Sequence, residues 1–195
     1  MNESKTYVFF GIVGAGKGTQ IELLKSKLGS ISDKKIVYAY PGNEYRALTA
    51  GDNYTGSLVK GRLTRGELQP DFLTIHVFTK ILVNDLTADA HLIADGYPRT
   101  LGQEEAFFHA MEFYGRKNVE IVYIEVSKDE VVKRMKLRGR ADDTDDGINR
   151  RFWEYEHNVI PAMQAMKARG FTLHTINGEQ TVEAVHGDIM RALGF

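Results

Sequence analysis

Apolar residues along this chain follow two alternating periodicities. Short runs rich in β-branched and aromatic residues, at 6–10, 35–39, 91–94, 119–125 and 171–176, read as strands. Two of them, Leu92-Ile93-Ala94 and Ile121-Val122-Tyr123-Ile124, are apolar at consecutive positions, as strands buried on both faces are. Longer stretches with helical spacing lie at 17–28, 70–84, 100–114, 128–137, 146–169 and 180–193. Within 146–169, Trp153, Tyr155, Met163 and Met166 keep that spacing and read as core. Strands alternating with helices predict an α/β fold: a five-stranded parallel sheet, right-handed crossovers and helices on both faces. Two stretches interrupt the alternation. Residues 40–69, rich in glycine and polar residues, predict short helices standing off the sheet. Residues 138–147, Arg-Gly-Arg-Ala-Asp-Asp-Thr-Asp-Asp-Gly, predict a compact charged loop between two helices. Insertions of this kind are where specificity and lids reside.

Composition adds boundaries. The 195 residues, 43% hydrophobic and 26% charged, fit a single globular domain over 1–195. A net charge of −1 offers no global field for a nucleic-acid duplex or an anionic membrane. With no cysteine there is no disulfide or thiolate chemistry, and no structural zinc is expected. The six histidines show no metal-ligand spacing and read as structural or surface residues. Met1-Asn2-Glu3-Ser4-Lys5 runs into a strand without a secretory h-region, so the expected compartment is the cytoplasm.

The chemistry begins at Gly11-Ile12-Val13-Gly14-Ala15-Gly16-Lys17-Gly18-Thr19-Gln20, which follows the strand Tyr7-Val8-Phe9-Phe10 and leads into a helix. Strand, glycine loop and helix form a phosphate cradle. Glycines let backbone N–H groups converge on one anion, the helix adds its positive end, and Lys17 supplies a mobile cation. In the strict pattern a Ser or Thr follows the lysine and holds magnesium; here Gly18 follows, and Thr19 comes one place later. One helical residue turns a side chain by about 100°, so Thr19 does not inherit that position. A second motif, His91-Leu92-Ile93-Ala94-Asp95-Gly96-Tyr97-Pro98-Arg99, is an apolar strand ending in a carboxylate and a tight turn that mounts an arginine. In a P-loop protein that carboxylate sits beside the phosphate loop, where it can order magnesium. An arginine fork suits phosphate oxygens.

Gly11 to Gln20, with Asp95-Gly96-Tyr97-Pro98-Arg99 and Gln103, resembles the adenylate kinase group of nucleoside monophosphate kinases. Gly42 and Arg46, Gly66-Glu67-Leu68-Gln69-Pro70, Arg134-x-x-x-Arg138, Arg140-Ala141-Asp142-Asp143, Arg151 and Ile176-Asn177-Gly178 extend the likeness over nearly the whole chain. The resemblance implies a P-loop fold with a monophosphate-binding insert at 40–69 and a very short lid loop at 137–147. It implies reversible phosphoryl transfer from ATP to AMP, with magnesium on the ATP and Asp95 holding the metal through water. Gly14, Ala15, Gly16, Lys17, Gly18 and Thr19 would hold the triphosphate, and Arg134, Gly178 and Gln180 the ATP base. Pro41, Gly42, Arg46, Glu67, Leu68, Gln69, Gly96, Arg99 and Gln103 would bind AMP, with Gln103 reading its base. Lys17, Arg46, Arg99, Arg138, Arg140 and Arg151 would surround the transferred group, and Arg140 and Arg151 would also reach AMP. Asp142 and Asp143 would steer the lid arginines. Such chemistry is mostly positioning and charge neutralisation, which accounts for so many fixed cations.

Besides Val13 in place of the usual loop proline, which matters little to phosphate contacts, the chain departs from the family in two places. Only Gly139 separates Arg138 from Arg140, where family members place several residues. The truncation predicts easier nucleotide exchange and wasteful ATP hydrolysis, unless a second subunit in a homo-oligomer covers the site. Tyr40-Pro41-Gly42-Asn43-Glu44-Tyr45-Arg46 replaces the usual Ser-Thr-Gly-Asp-Leu-Leu-Arg. Pro41 brings no hydroxyl to the acceptor base, and Tyr45 either stacks on that base or packs. AMP is the expected acceptor, with UMP, CMP or dTMP as alternatives. A non-catalytic ATP-binding switch is the other class of reading. A regulatory GTPase is not supported, because no Asn-Lys-x-Asp motif occurs.

Overall fold

Among the described residues five strands carry the sheet: β1 (Thr6–Phe10), β2 (Ile36–Ala39), β3 (His91–Asp95), β4 (Val119–Glu125) and β5 (Thr172–Asn177). The structure is a computed structural model that describes residues 3–138 and 144–195, Arg138 by its backbone alone. The strands lie in the order β2-β3-β1-β4-β5, and every neighbouring pair is parallel. Each parallel link needs a crossover. These are built from α1 (Lys17–Ile31), α2 (Pro41–Ala50), α3 (Tyr54–Thr64), α4 (Asp71–Asp85), α5 (Leu101–Phe113), α6 (Lys128–Arg138), α7 (Asp145–Glu154) and α8 (Ile160–Ala168), while α9 (Val182–Ala192) follows β5 and packs back on α1. Chain order reverses at β1, since β2 and β3 lie to one side and β4 and β5 to the other. Ligands of open α/β sheets bind at the carboxyl ends of the strands near such a point.

Alternating side chains of β1 feed two cores. Val8 and Phe10 join Phe78, Leu82, Phe107 and Met111 of α4 and α5. Tyr7 and Phe9 join Ile21, Leu24, Val131 and Val185 of α1, α6 and α9. The insert after β2 does form two short helices, α2 and α3, with a small cluster of their own. Tyr45, Val59 and Val77 are buried there, with Leu48, Leu63 and Leu73 against them. His91 is buried at the start of β3, where its Nδ1 accepts from the Lys5 N–H at 3.1 Å, and its Nε2 lies 3.3 Å from Ser32 Oγ. Burial, then the nearby Lys34 and Arg116 charges, hold its pKa below the ordinary histidine value.

The stretch expected as one helix over 146–169 is not one helix. Between α7 and α8 the backbone widens into a π-helical turn at Tyr155–Val159. Such a turn holds an extra residue and rotates everything after it about the helix axis. Ile148 and Phe152 of α7 therefore pack in the core with α1 and α6, while Val159, Met163 and Met166 pack in the other core. The fate of the aromatic residues differs from the expectation as well. Met163 and Met166 are core, but Trp153 is 45% exposed, with Arg150 over its ring at 4.5 Å and His157 stacked on it at 4.5 Å.

Candidate active site

The glycine loop leaves β1 in a conformation that side chains would block. Gly11 has φ +146°, and a Cβ there would lie 2.8 Å from the Ile124 carbonyl oxygen. Gly16, at φ +95°, caps α1, so Lys17 opens the helix. The Lys17 ammonium donates back to the Gly11 and Ile12 carbonyls at 2.6 and 3.1 Å. Gly18 and Thr19 are exposed on the first turn.

Asp95 ends β3 directly beside Phe9 of β1. Its Oδ2 accepts from the Tyr38 hydroxyl at 2.7 Å. Burial and the Asp95 charge raise the Tyr38 pKa, so this hydroxyl stays a donor. The next residue, Gly96, has φ +62° and lies under the Arg99 guanidinium. Arg99 Nε donates to the Gly96 carbonyl at 2.7 Å, and its backbone N–H donates to Gln103 Oε1 at 2.9 Å. The Gln103 Nε2 in turn donates to Asp71 Oδ1 at 2.8 Å. Thr100 caps α5 and also donates to Asp71, at 2.9 Å, which ties this turn to α4. Arg99 is thus mounted on a turn that is pinned from three sides.

A cavity of about 620 Å³ opens over these strand ends. Arg46 of α2, Arg99 of the β3–α5 turn and Arg151 of α7 all line it, together with the loop residues Gly11, Ile12 and Val13. Pro41, Gly42, Glu67, Leu68, Gln69, Gly96 and Gln103 line it too. The structure therefore brings the whole expected AMP set to one chamber, Arg140 excepted, because it lies outside the described residues. The Arg138 side chain and Asp142 and Asp143 are likewise outside them. Glu67 is held as a carboxylate below its ordinary pKa, first by the hydrogen bond from Arg65 at 2.7 Å.

The residues expected around ATP sit elsewhere. Gly14, Ala15, Gly16, Lys17, Gly18 and Thr19 do not line the chamber, although the carbonyls that Lys17 grips belong to residues that do. Arg134 reaches from α6 to the turn after β5, donating to Glu130 Oε1 at 2.7 Å and to the Gly178 carbonyl at 2.9 Å. Gln180 closes that turn by donating to the Asn177 carbonyl at 3.1 Å and to Asp188 at 2.8 Å.

Tyr40, Glu154 and Tyr155 line the chamber outside the set that the sequence predicts, whereas Tyr45 is a residue the sequence already offers there, to stack or to pack. Tyr40 lies against Gly42, where any Cβ would collide with its ring, and its face carries the Arg46 guanidinium at 5.2 Å. Tyr45 lines the chamber and donates to Thr74 Oγ1 at 2.6 Å. Glu154 and Tyr155, at the entrance to the π turn, line it as well, so Tyr155 belongs to the site wall rather than to the core alone. Buried Glu154 accepts from Arg150 at 3.2 Å and from Asn158 at 2.7 Å. The spacing of these three residues, four apart on each side, was the available signal.

No group of three or more His, Asp or Glu side chains forms a metal cluster among the described residues. Asp95 offers a single buried carboxylate, with one oxygen already engaged. That donor set suits magnesium that arrives on nucleotide phosphates and keeps most of its waters. Also among the described residues, no helix is long and apolar enough to cross a membrane.

The adenylate kinase family model matches residues 9–171. This chain belongs to that family. The adenylate kinase of Thermus thermophilus is 32% identical over 199 aligned positions, covering 100% of both chains. That of Corynebacterium aurimucosum is 33% identical over 188 positions, 96% of this chain and 98% of its own. The Bacteroides fragilis adenylate kinase is 31% identical over 190 positions, 95% and 96% of the two chains. Family membership accounts for the parallel sheet and the glycine loop together.

Proposed function

We propose that this chain catalyses the reversible transfer of a phosphoryl group from ATP to AMP, giving two ADP. The observation that carries the reading is the convergence of Arg46, Arg99 and Arg151, from three separate segments, on one chamber that reaches the phosphate loop. Two anionic nucleotides brought end to end repel each other, and fixed guanidiniums offset that repulsion at every working pH. AMP would occupy the chamber over β2 and β3, inside the 40–69 insert, with its phosphate on Arg46 and Arg99. ATP would lie along the glycine loop with its base toward Arg134, Gly178 and Gln180. Lys17 would exchange its loop carbonyls for the terminal phosphates. Asp95 is the group that would hold magnesium through water, and the metal supplies charge neutralisation on the phosphates when bound. The acceptor is already an oxyanion, so the transfer needs no general base. Arg138 and Arg140 would complete the cationic ring, and their short connection favours a leakier enzyme or one covered by a second subunit.

A coupled assay of ADP formation from ATP with AMP, UMP, CMP, GMP or dTMP tests the reading. AMP should be turned over fastest. ATP binding without turnover of any monophosphate would refute it and favour a nucleotide switch.

A further inference from the structure

The chamber lining is of two chemical kinds. One part is cationic, supplied by Arg46, Arg99 and Arg151. The other comes from the small cluster of the insert, through Tyr45 and Leu63, with Gln69 bonded to the same cluster at Val59. A phosphate belongs with the first part and a flat base with the second. Hydrogen-bonding groups in the second part are mostly spent. Tyr45 donates to Thr74, and Thr74 donates onward to the Pro70 carbonyl at 3.2 Å. Gln103, 1% exposed, uses its oxygen on the Arg99 N–H and one N–H on Asp71, which leaves only its second N–H.

Gln69 is different. It is 7% exposed, and its Nε2 donates to the Val59 carbonyl at 3.3 Å. A carbonyl can only accept, so this bond fixes which way round the amide sits. The atom left over is Oε1, an acceptor with no partner among the described residues, on a side chain that lines the chamber.

We infer that Gln69 Oε1 sets the choice of acceptor base by receiving an N–H from an exocyclic amine, while the second N–H of Gln103 meets the neighbouring ring nitrogen. An acceptor beside a donor matches the amino and ring-nitrogen edge of adenine, and the equivalent edge of cytosine. Guanine and uracil present the inverse, a carbonyl oxygen and a ring N–H, and would set oxygen against oxygen at Gln69. A site built from buried, oriented polar groups rejects such inverses because its own groups are left unpaired. The inference rests on the proposal that the chamber holds the acceptor monophosphate.

The experiment compares the wild-type chain with Gln69→Leu and Gln69→Met. For each, kcat/KM is measured for AMP and GMP with saturating ATP, and both monophosphates are titrated calorimetrically. Loss of one neutral hydrogen bond predicts a fall of about fivefold to tenfold in AMP affinity and in kcat/KM, carried by KM. Values for GMP should stay level or rise, so the AMP-to-GMP ratio narrows. That ratio is taken within one sample and does not depend on the fraction folded. A ratio unchanged in both variants overturns the role of Gln69. If AMP binds but no monophosphate is phosphorylated, the kinase reading fails, while the binding ratio still decides Gln69.

Discussion

Gly96→Ala separates the site from the fold. Gly96 sits at φ +62°, and a Cβ there would stand 2.5 Å from Arg99 Nη2 and 3.3 Å from its Cζ and Nε. Left-handed backbone costs an L-residue about 1 kcal/mol. Ordinary contact begins near 3.4 Å, so the guanidinium must retreat by about 0.9 Å. That retreat stretches or breaks the 2.7 Å bond from Arg99 Nε to the Gly96 carbonyl, at a cost of about 1 kcal/mol more. The group that yields is the mobile end of a side chain, so the fold should lose only about 2 kcal/mol. The reaction is less tolerant, because a displacement near 1 Å can cost about 10²-fold in rate. Urea unfolding should therefore show a folded, modestly weakened protein, and the coupled assay should show kcat/KM for AMP reduced by about 10²-fold. The route through Arg99 is tested by a cycle: Gly96→Ala should add almost nothing to Arg99→Ala. A Gly96→Ala enzyme within about threefold of wild type, beside a crippled Arg99→Ala, would refute the reasoning.

Phe107 is fully buried among Phe78, Tyr97 and Phe171, with ring centroids at 5.9, 6.3 and 6.3 Å, so Phe107→Ala should cost about 3–5 kcal/mol, read from the urea midpoint. Burial lowers the pKa of both His91 and His186. The unfolded chain takes up those protons near pH 6.5 while the folded chain resists them, so stability should fall as pH drops through and below that value; urea midpoints at about pH 7.5 and about pH 5.5 measure the loss, and His91→Gln should lessen it. Chelation with EDTA should abolish phosphoryl transfer and added magnesium restore it. The thermal midpoint of the nucleotide-free chain should stay put, since no cluster of three ligating side chains gathers among the described residues.

What sequence could and could not foretell follows from the range of the interactions involved. The strands, the glycine loop and the Asp95–Arg99 turn are local patterns, written within about ten consecutive residues, and they stand where the pattern put them. The chamber around Arg46, Arg99 and Arg151 was reached through family likeness rather than spacing, because α2, the β3–α5 turn and α7 meet only in the folded chain. The orientation of the Gln69 amide was beyond reach for the same reason, being fixed by a carbonyl ten residues away on α3. The π turn is the more instructive failure. At 100° per residue, Ile148, Phe152, Val159, Met163 and Met166 project within about 60° of one another, a single apolar stripe on an ideal helix. A straight helix would have laid that stripe on one core. The protein has two, one on each face of the sheet, and α7 and α8 serve different ones. Widening the backbone at Tyr155–Val159 reconciles one stripe with two cores, and it does so at the site wall, where Glu154, Tyr155 and Val159 face the chamber. Deleting the exposed Glu156 should remove the extra residue and leave a continuous α-helix in which Val159, Met163 and Met166 keep the orientation the widened turn gives them, so the urea midpoint should hold. Glu154 and Tyr155 would lose the widened backbone that sets them at the chamber wall, so AMP affinity should fall; a collapse of the fold instead would refute this account of the turn.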